Sequence, residues 1–137
     1  MTHTTGTFTV TEFIPQDFTP KIETGLPTGY ALMRKEFSGA IRGTAQTQFV
    51  FAYDEERGGT YVALESFTGA IDGHEGTCNL AHSATTIDGS ERSAEFLVIV
   101  PGSGTDALAG ISGTGTIAID SDGTHHLNLS FELPGTR

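Results

Sequence analysis

IVPGSGTDALAGISGTG, residues 99–115, admits two readings, and the fold turns on the choice between them. Gly102, Gly104 and Ala107 match the G-x-G-x-x-A spacing with which a strand-to-helix turn grips a dinucleotide pyrophosphate, and the apolar run EFLVIV (95–100) leads into it. Such a loop works only when a helix follows, because the helix N-terminus supplies the N–H groups and the dipole that meet the phosphates. Gly110, Gly113 and Gly115 interrupt any helix within a few residues of Ala107, and GTGTIAI (113–119) then reads as a strand. Asp122 lies at a suitable distance for a ribose contact, but that distance has meaning only inside a βαβ unit. The stretch is a glycine-rich crossover between strands, and no cofactor is expected.

The same pattern extends in both directions. FTVTEFI (8–14) alternates, and YALMRKEFSGAI (30–41), TAQTQFVFAYD (44–54), TYVALESFTGAI (60–71), TCNLAHSATTI (77–87), SAEFLVIV (93–100), GTGTIAI and HHLNLSFEL (125–133) are rich in Thr, Phe and Val. Asp72-Gly73, Asp88-Gly89 and Asp122-Gly123 are hairpin signals between strand-like runs. About eight strands close a small antiparallel barrel whose interior holds side chains or one small ligand, so the expected fold is an all-β barrel. FSGAIRG (37–43) recurs as FTGAIDG (67–73), two copies being too few for a solenoid. Residues 1–7 are expected to be flexible. PQDFTPKIETGLPTG (15–29), with three prolines, is long for a compact domain and is a candidate lid over the barrel mouth.

The chain of 137 residues is one domain with a net charge of −10 and only 7 basic residues, which argues against a nucleic-acid partner. One cysteine, Cys78, excludes an intrachain disulfide and a cysteine zinc cage. No basic and apolar leader and no apolar run of about 18 residues is present, so a soluble cytoplasmic protein with no membrane partner is expected.

Turn geometry places candidate site residues. A two-residue turn at Asp72-Gly73 sets Glu65 opposite Leu80, Ala63 opposite His82 and Phe67 opposite Cys78. A two-residue turn at Asp88-Gly89 sets His82 opposite Glu95 and Leu80 opposite Leu97. A three-residue loop Glu56-Arg57-Gly58, with Gly58 left-handed, adds Phe49, Phe51 and Tyr53 to the same face. Glu65, His82 and Glu95 then form a candidate catalytic set, an imidazole between two carboxylates among apolar side chains. Phe49, Phe51, Tyr53, Tyr61, Phe67, Cys78, Leu80 and Leu97 are the candidate substrate-binding residues, with the Tyr53 and Tyr61 phenols available to orient an oxygen. The same His and Glu residues would also serve as a cross-strand surface pair, because the opposite face, with Val50, Val62, Leu64, Phe96, Val98 and Val100, is at least as apolar. Glu12 falls in phase with Phe8 and Val10, which points it inward, while His125 and His126 must point to opposite faces. With His3 and His74 read as loop residues, no compact metal-ligand set emerges.

VPGSGTDALAGISGTG (100–115), LESFTGAIDG (64–73) and LAHS (80–83), bordered by FSGAIRGTAQTQFVFAY (37–53), together resemble domain of unknown function family 3224 from Phe8 to Leu133. The resemblance implies an antiparallel barrel similar to allene oxide cyclase, with an interior cavity, and implies no settled activity. Two functions are therefore expected as alternatives: a cofactor-free isomerase or cyclase acting on a small apolar molecule, or a barrel that binds such a molecule unchanged. SAEFLVIV is apolar on both faces, so its outer side is expected to be covered by a second copy in a homo-oligomer, a dimer being favoured.

Overall fold

The computed structural model describes residues 1–87 and 91–135. Eight strands follow one another: β1 (Thr2–Pro15), β2 (Thr28–Gly39), β3 (Ile41–Asp54), β4 (Gly58–Ile71), β5 (His74–Ile87), β6 (Glu91–Ile99), β7 (Ser112–Ile119) and β8 (His125–Glu132). Each pairs antiparallel with the next, and β8 returns to β1, so the sheet is a closed barrel. Residues 2–7, expected to be flexible, are strand, with Thr2 opposite Phe131, and His3 and His74 sit in β1 and β5 and not in loops. No helix among the described residues is long and apolar enough to cross a membrane.

Period-two alternation fixes which side chains fill the barrel. Leu127, Leu129 and Phe131 of β8 are buried while Asn128 and Ser130 between them are not, and Phe67, Leu80, Leu97 and Ile99 complete the same apolar cluster. The two copies of the FxGAIxG repeat meet in space. Gly43 of the first is the cross-strand partner of Gly69 of the second, at φ 138° and 156°, and a Cβ on either would lie 2.2 Å or less from the opposing carbonyl oxygen of Thr68 or Arg42. Only glycine allows the two backbones to come this close, and the sheet coils tightly there.

A bulge between Val10 and Glu12 corrects one expectation. The extra residue reverses the phase of β1, so Glu12 pairs with Arg34, whose side chain is outside, and does not point inward.

The glycine-rich stretch forms a cork. After β6 ends, residues 100–111 fold across one end of the barrel around a single 3₁₀ turn, Asp106–Leu108, and carry Leu108 and Ile111 into the core at 0% and 1% exposure. Its hydroxyls take over the hydrogen bonding of β5 where β6 has left it. Ser103 Oγ accepts from Asn79 N at 3.0 Å, and Thr105 Oγ1 accepts from Thr77 N at 3.0 Å. Gly104 permits the tight wrap, since a Cβ there would sit 1.9 Å from the Leu108 carbonyl oxygen. Leu108→Ala is expected to lower unfolding free energy by about 2–5 kcal/mol, the range for a fully buried leucine. A urea titration checks it.

Candidate active site

The other end of the barrel lies opposite the cork, where β3 ends and β4 begins, and the polar side chains gather toward it. The Asp72-Gly73 turn, with φ 49° and 81°, holds β4 and β5 in the register expected of a two-residue hairpin: Glu65 opposite Leu80, Ala63 opposite His82, Phe67 opposite Cys78. The next hairpin differs. His82 faces Leu97, not Glu95, and Leu80 faces Ile99, not Leu97. Two causes add. Ile87 pairs with Glu91, one position beyond the register assumed, and a bulge at Ala94, φ 48°, adds a second residue to β6. A shift of two restores the face, so Glu95 still belongs to the inner side. The Asp88-Gly89 turn itself lies outside the described residues.

His82 and Glu65 are 3% and 2% exposed, and this settles their face as the interior. Lys35 of β2, 4% exposed, donates from Nζ to Glu65 Oε2 at 2.8 Å, and His82 Nε2 bonds to the same oxygen. Burial pushes the Glu65 carboxyl up, but the His82 hydrogen bond and the charges of Lys35 and His82 outweigh it and hold it down at about 2. With Glu65 ionised, Nε2 of His82 carries a proton and donates it, and Nδ1 of the same ring lies 2.8 Å from Tyr61 Oη, within hydrogen-bond distance. Arg92 Nη2 donates to the same phenol oxygen at 3.2 Å and to Glu95 Oε2 at 2.7 Å, and Arg92 Nε donates to Glu95 Oε2 at 3.0 Å. One continuous chain of hydrogen bonds results: Lys35, Glu65, His82, Tyr61, Arg92, Glu95. Burial raises the Tyr61 phenol above its ordinary value despite the guanidinium beside it, so at neutral pH it keeps its proton.

Glu95 thus reaches His82 through Arg92 and Tyr61, not directly. Lys35 and Arg92 are the site residues that the hairpin argument missed. Lys35 was legible from phase alone, because it alternates with buried Ala31 and Phe37 along β2. Arg92 has no such signal, since it enters the set only through the Ala94 bulge.

Above the polar chain the rim is aromatic. Tyr61 stacks on Phe49 with centroids 5.1 Å apart, and Phe51 and Phe13 lie 5.5 and 6.2 Å from the Phe49 ring. Tyr53 stands at the lip, exposed. Phe67, Cys78 and Leu80 belong instead to the packed apolar half, with Leu97 between the two regions opposite His82. Burial pushes the Cys78 thiol up to about 11, which makes it an apolar filler. Glu65 Oε1 and Thr47 Oγ1, on directly opposed residues of β4 and β3, are buried with no hydrogen-bond partner among the described residues. Among those residues no group of three His, Cys, Asp or Glu is placed to hold a metal ion. His125 and His126 do point to opposite sides, His125 toward the Phe8 ring and His126 toward Asp120.

The depressed Glu65 sets a pH dependence. Its folded value lies below its ordinary 4.5, so its contribution to stability is present in full above about 4.5 and is lost as pH falls toward about 2. Urea midpoints should decline over that interval, and Glu65→Gln should flatten the decline.

The family described as protein of unknown function (DUF3224) matches residues 4–131. A crystal structure of a protein with unknown function from that family, from Shewanella oneidensis MR-1, superposes with a TM-score of 0.86 at 30% sequence identity, over 99% of each chain. No curated protein matches the chain.

Proposed function

Because the chain belongs to the DUF3224 family, whose description assigns no activity, we propose its function from the side chains themselves: a cofactor-free isomerase or cyclase acting by proton transfer on a small apolar carbonyl compound held in the barrel mouth. The observation that carries this reading is the Tyr61 phenol oxygen, held between His82 Nδ1 and the Arg92 guanidinium with Glu65 buried behind the ring. A carboxylate that fixes one tautomer of a histidine, whose other nitrogen serves a hydroxyl, is the logic of an acid–base relay. When His82 is neutral the phenol donates to Nδ1. When the ring takes up a proton, Nδ1–H donates to the phenol oxygen and the Tyr61 O–H turns to a substrate oxygen. Glu95 at the rim accepts a proton from the carbon next to that carbonyl as Tyr61 gives its own to the oxygen, which forms the enol. Glu95 then delivers its proton to another carbon as the enol oxygen gives its proton back to Tyr61, and this completes an isomerisation with both side chains restored.

The rings of Phe13, Phe49, Phe51 and Tyr61 supply a run of aromatic contacts, stacked at Tyr61–Phe49 and edge-on at Phe13–Phe49, suited to an aromatic or polyketide-like body. Residues 16–27 form the lid in this reading. They carry Phe18 and Ile22 exposed at 68% and 79%, and are tied beside the mouth by Arg57 Nη1 donating to Gly25 O at 2.7 Å and Tyr53 N donating to Pro27 O at 3.1 Å. The test is a panel of small aryl ketones and 1,3-diketones in D₂O, followed by proton NMR. Loss of the α-proton signal with the wild-type protein, and not with Tyr61→Phe, is expected. Saturable binding with no exchange by any compound would favour the barrel that holds its ligand unchanged.

A further inference from the structure

Building on the isomerase reading, we propose that the carbonyl compound carries a carboxylate at one end of its apolar body, and that Arg92 and His125 bind it across a slot between β6 and β7. Strand pairing marks the slot. Among the described residues β6 and β7 pair only at Val98–Thr114 and Ile99–Gly113. Their other ladders run on toward the mouth, β5–β6 as far as Ile87–Glu91 and β7–β8 as far as Ile119–His125. Residues 91–97 and 115–119 therefore form two banks without ladder pairs between them. Ile119 shows the consequence: it keeps the phase of buried Ile117, yet it is 49% exposed.

Each side of the slot brings one group suited to an anion. On β6, Arg92 directs Nε and Nη2 to Glu95 and Tyr61, while Nη1 has no hydrogen-bond partner among the described residues. On β8, His125 alternates with buried Leu127 and Leu129, so it faces the interior, 5.1 Å from the Phe8 ring on which Lys35 Nζ also lies, at 4.6 Å. Burial and the charges of Lys35 and Arg92 hold this imidazole below its ordinary value, and the Gly123 backbone draws on its one N–H. Its other nitrogen donates only when the ring takes up a proton, so an anion binds here together with that proton. The charged groups that face the ring are Lys35 from β2 and Arg92 with Glu95 from β6, whereas its paired neighbours Phe8 of β1 and Ile119 of β7 carry none. Asp120 and Asp122 of the adjoining loop are engaged by His126 and by Thr124 N. Lys35 is balanced by Glu65 and Arg92 by Glu95, so the protonated ring leaves one positive charge, which matches a carboxylate and not a dianionic phosphate.

Acetophenone and 4-acetylbenzoate differ only in the carboxylate, and about 0.15 M salt screens the net charge of −10. By calorimetry at about pH 6, 4-acetylbenzoate should bind wild type at least about tenfold more tightly than acetophenone, and the advantage should fall away by about pH 8. His125→Phe, which keeps a ring against Phe8, should bind the two compounds alike. Nitrogen NMR should show the His125 ring gaining a proton as 4-acetylbenzoate is added. Equal affinity of wild type for the two compounds, or none for either, overturns the proposal. So does a folded His125→Phe that keeps the full advantage, or tighter binding of 4-acetylphenyl phosphate than of 4-acetylbenzoate. If circular dichroism finds that variant unfolded, His125 nitrogen signals that stay unmoved in wild type overturn it instead. Binding is read apart from turnover: a carboxylate held through His125 without α-proton exchange supports this site and removes only the isomerase reading.

Discussion

Lys35→Met is expected to lower the unfolding free energy by about 3–5 kcal/mol, the cost of removing one partner from a buried ion pair. The cause is the carboxylate that stays behind. Glu65 is 2% exposed, its Oε2 receives Lys35 Nζ and His82 Nε2, and its Oε1 already has no partner among the described residues. Without the ammonium the carboxylate retains its burial and loses the compensating charge of Lys35. The double variant Lys35→Met/Glu65→Leu should regain most of the loss, because two apolar side chains of similar volume need no such compensation. Guanidinium denaturation of the four proteins in this cycle yields the coupling energy. A single-variant cost below about 1 kcal/mol would mean that the pair is not buried as described.

Tyr61→Phe should slow turnover of any substrate found in the D₂O panel by about 10²–10⁴-fold, the range for removing a positioned acid or base. The barrel should stay folded, since phenylalanine preserves the stack on Phe49. Glu95→Gln should reduce turnover comparably, with Arg92 keeping one oxygen contact. A structural role for Tyr61 would give a different result: loss of stability with no selective loss of rate. Nitrogen NMR of the His82 ring provides a reading that needs no substrate. In Tyr61→Phe the Nδ1 signal should move from its wild-type position because its hydrogen-bond partner is gone.

The β4–β5 register could be read from two residues, because Asp72-Gly73 accepts only a turn with left-handed backbone and that turn fixes every pair beyond it. The β5–β6 register could not. Ala94 adopts φ 48° without being a residue that favours it, so nothing in SAEFL marks the bulge. Period-two alternation nevertheless kept Glu95 on the inner face, because the Ile87–Glu91 pairing and the bulge each shift the register by one residue. The interior of Lys35 was hidden by chemistry and not by pattern. Lysine is seldom buried, and what permits it here is Glu65, 30 positions away along the chain. The glycine-rich stretch was correctly a crossover, but its corking of the barrel depends on Leu108 and Ile111 finding a core formed by other strands.

The seam between β1 and β8 also dictates an order of assembly. Thr2 pairs with Phe131 and Thr4 with Leu129, so during synthesis β1 has no partner on that side until β8 has left the ribosome. For that interval a row of peptide groups is free to join any other nascent strand, the usual route to aggregates. The composition of THTTGTFTVT offers a safeguard: hydroxyls and a glycine occupy most of the waiting edge, and Phe8 and Val10 are its only large apolar side chains. The stretch is hydrated well enough to wait and regular enough to zip when β8 arrives.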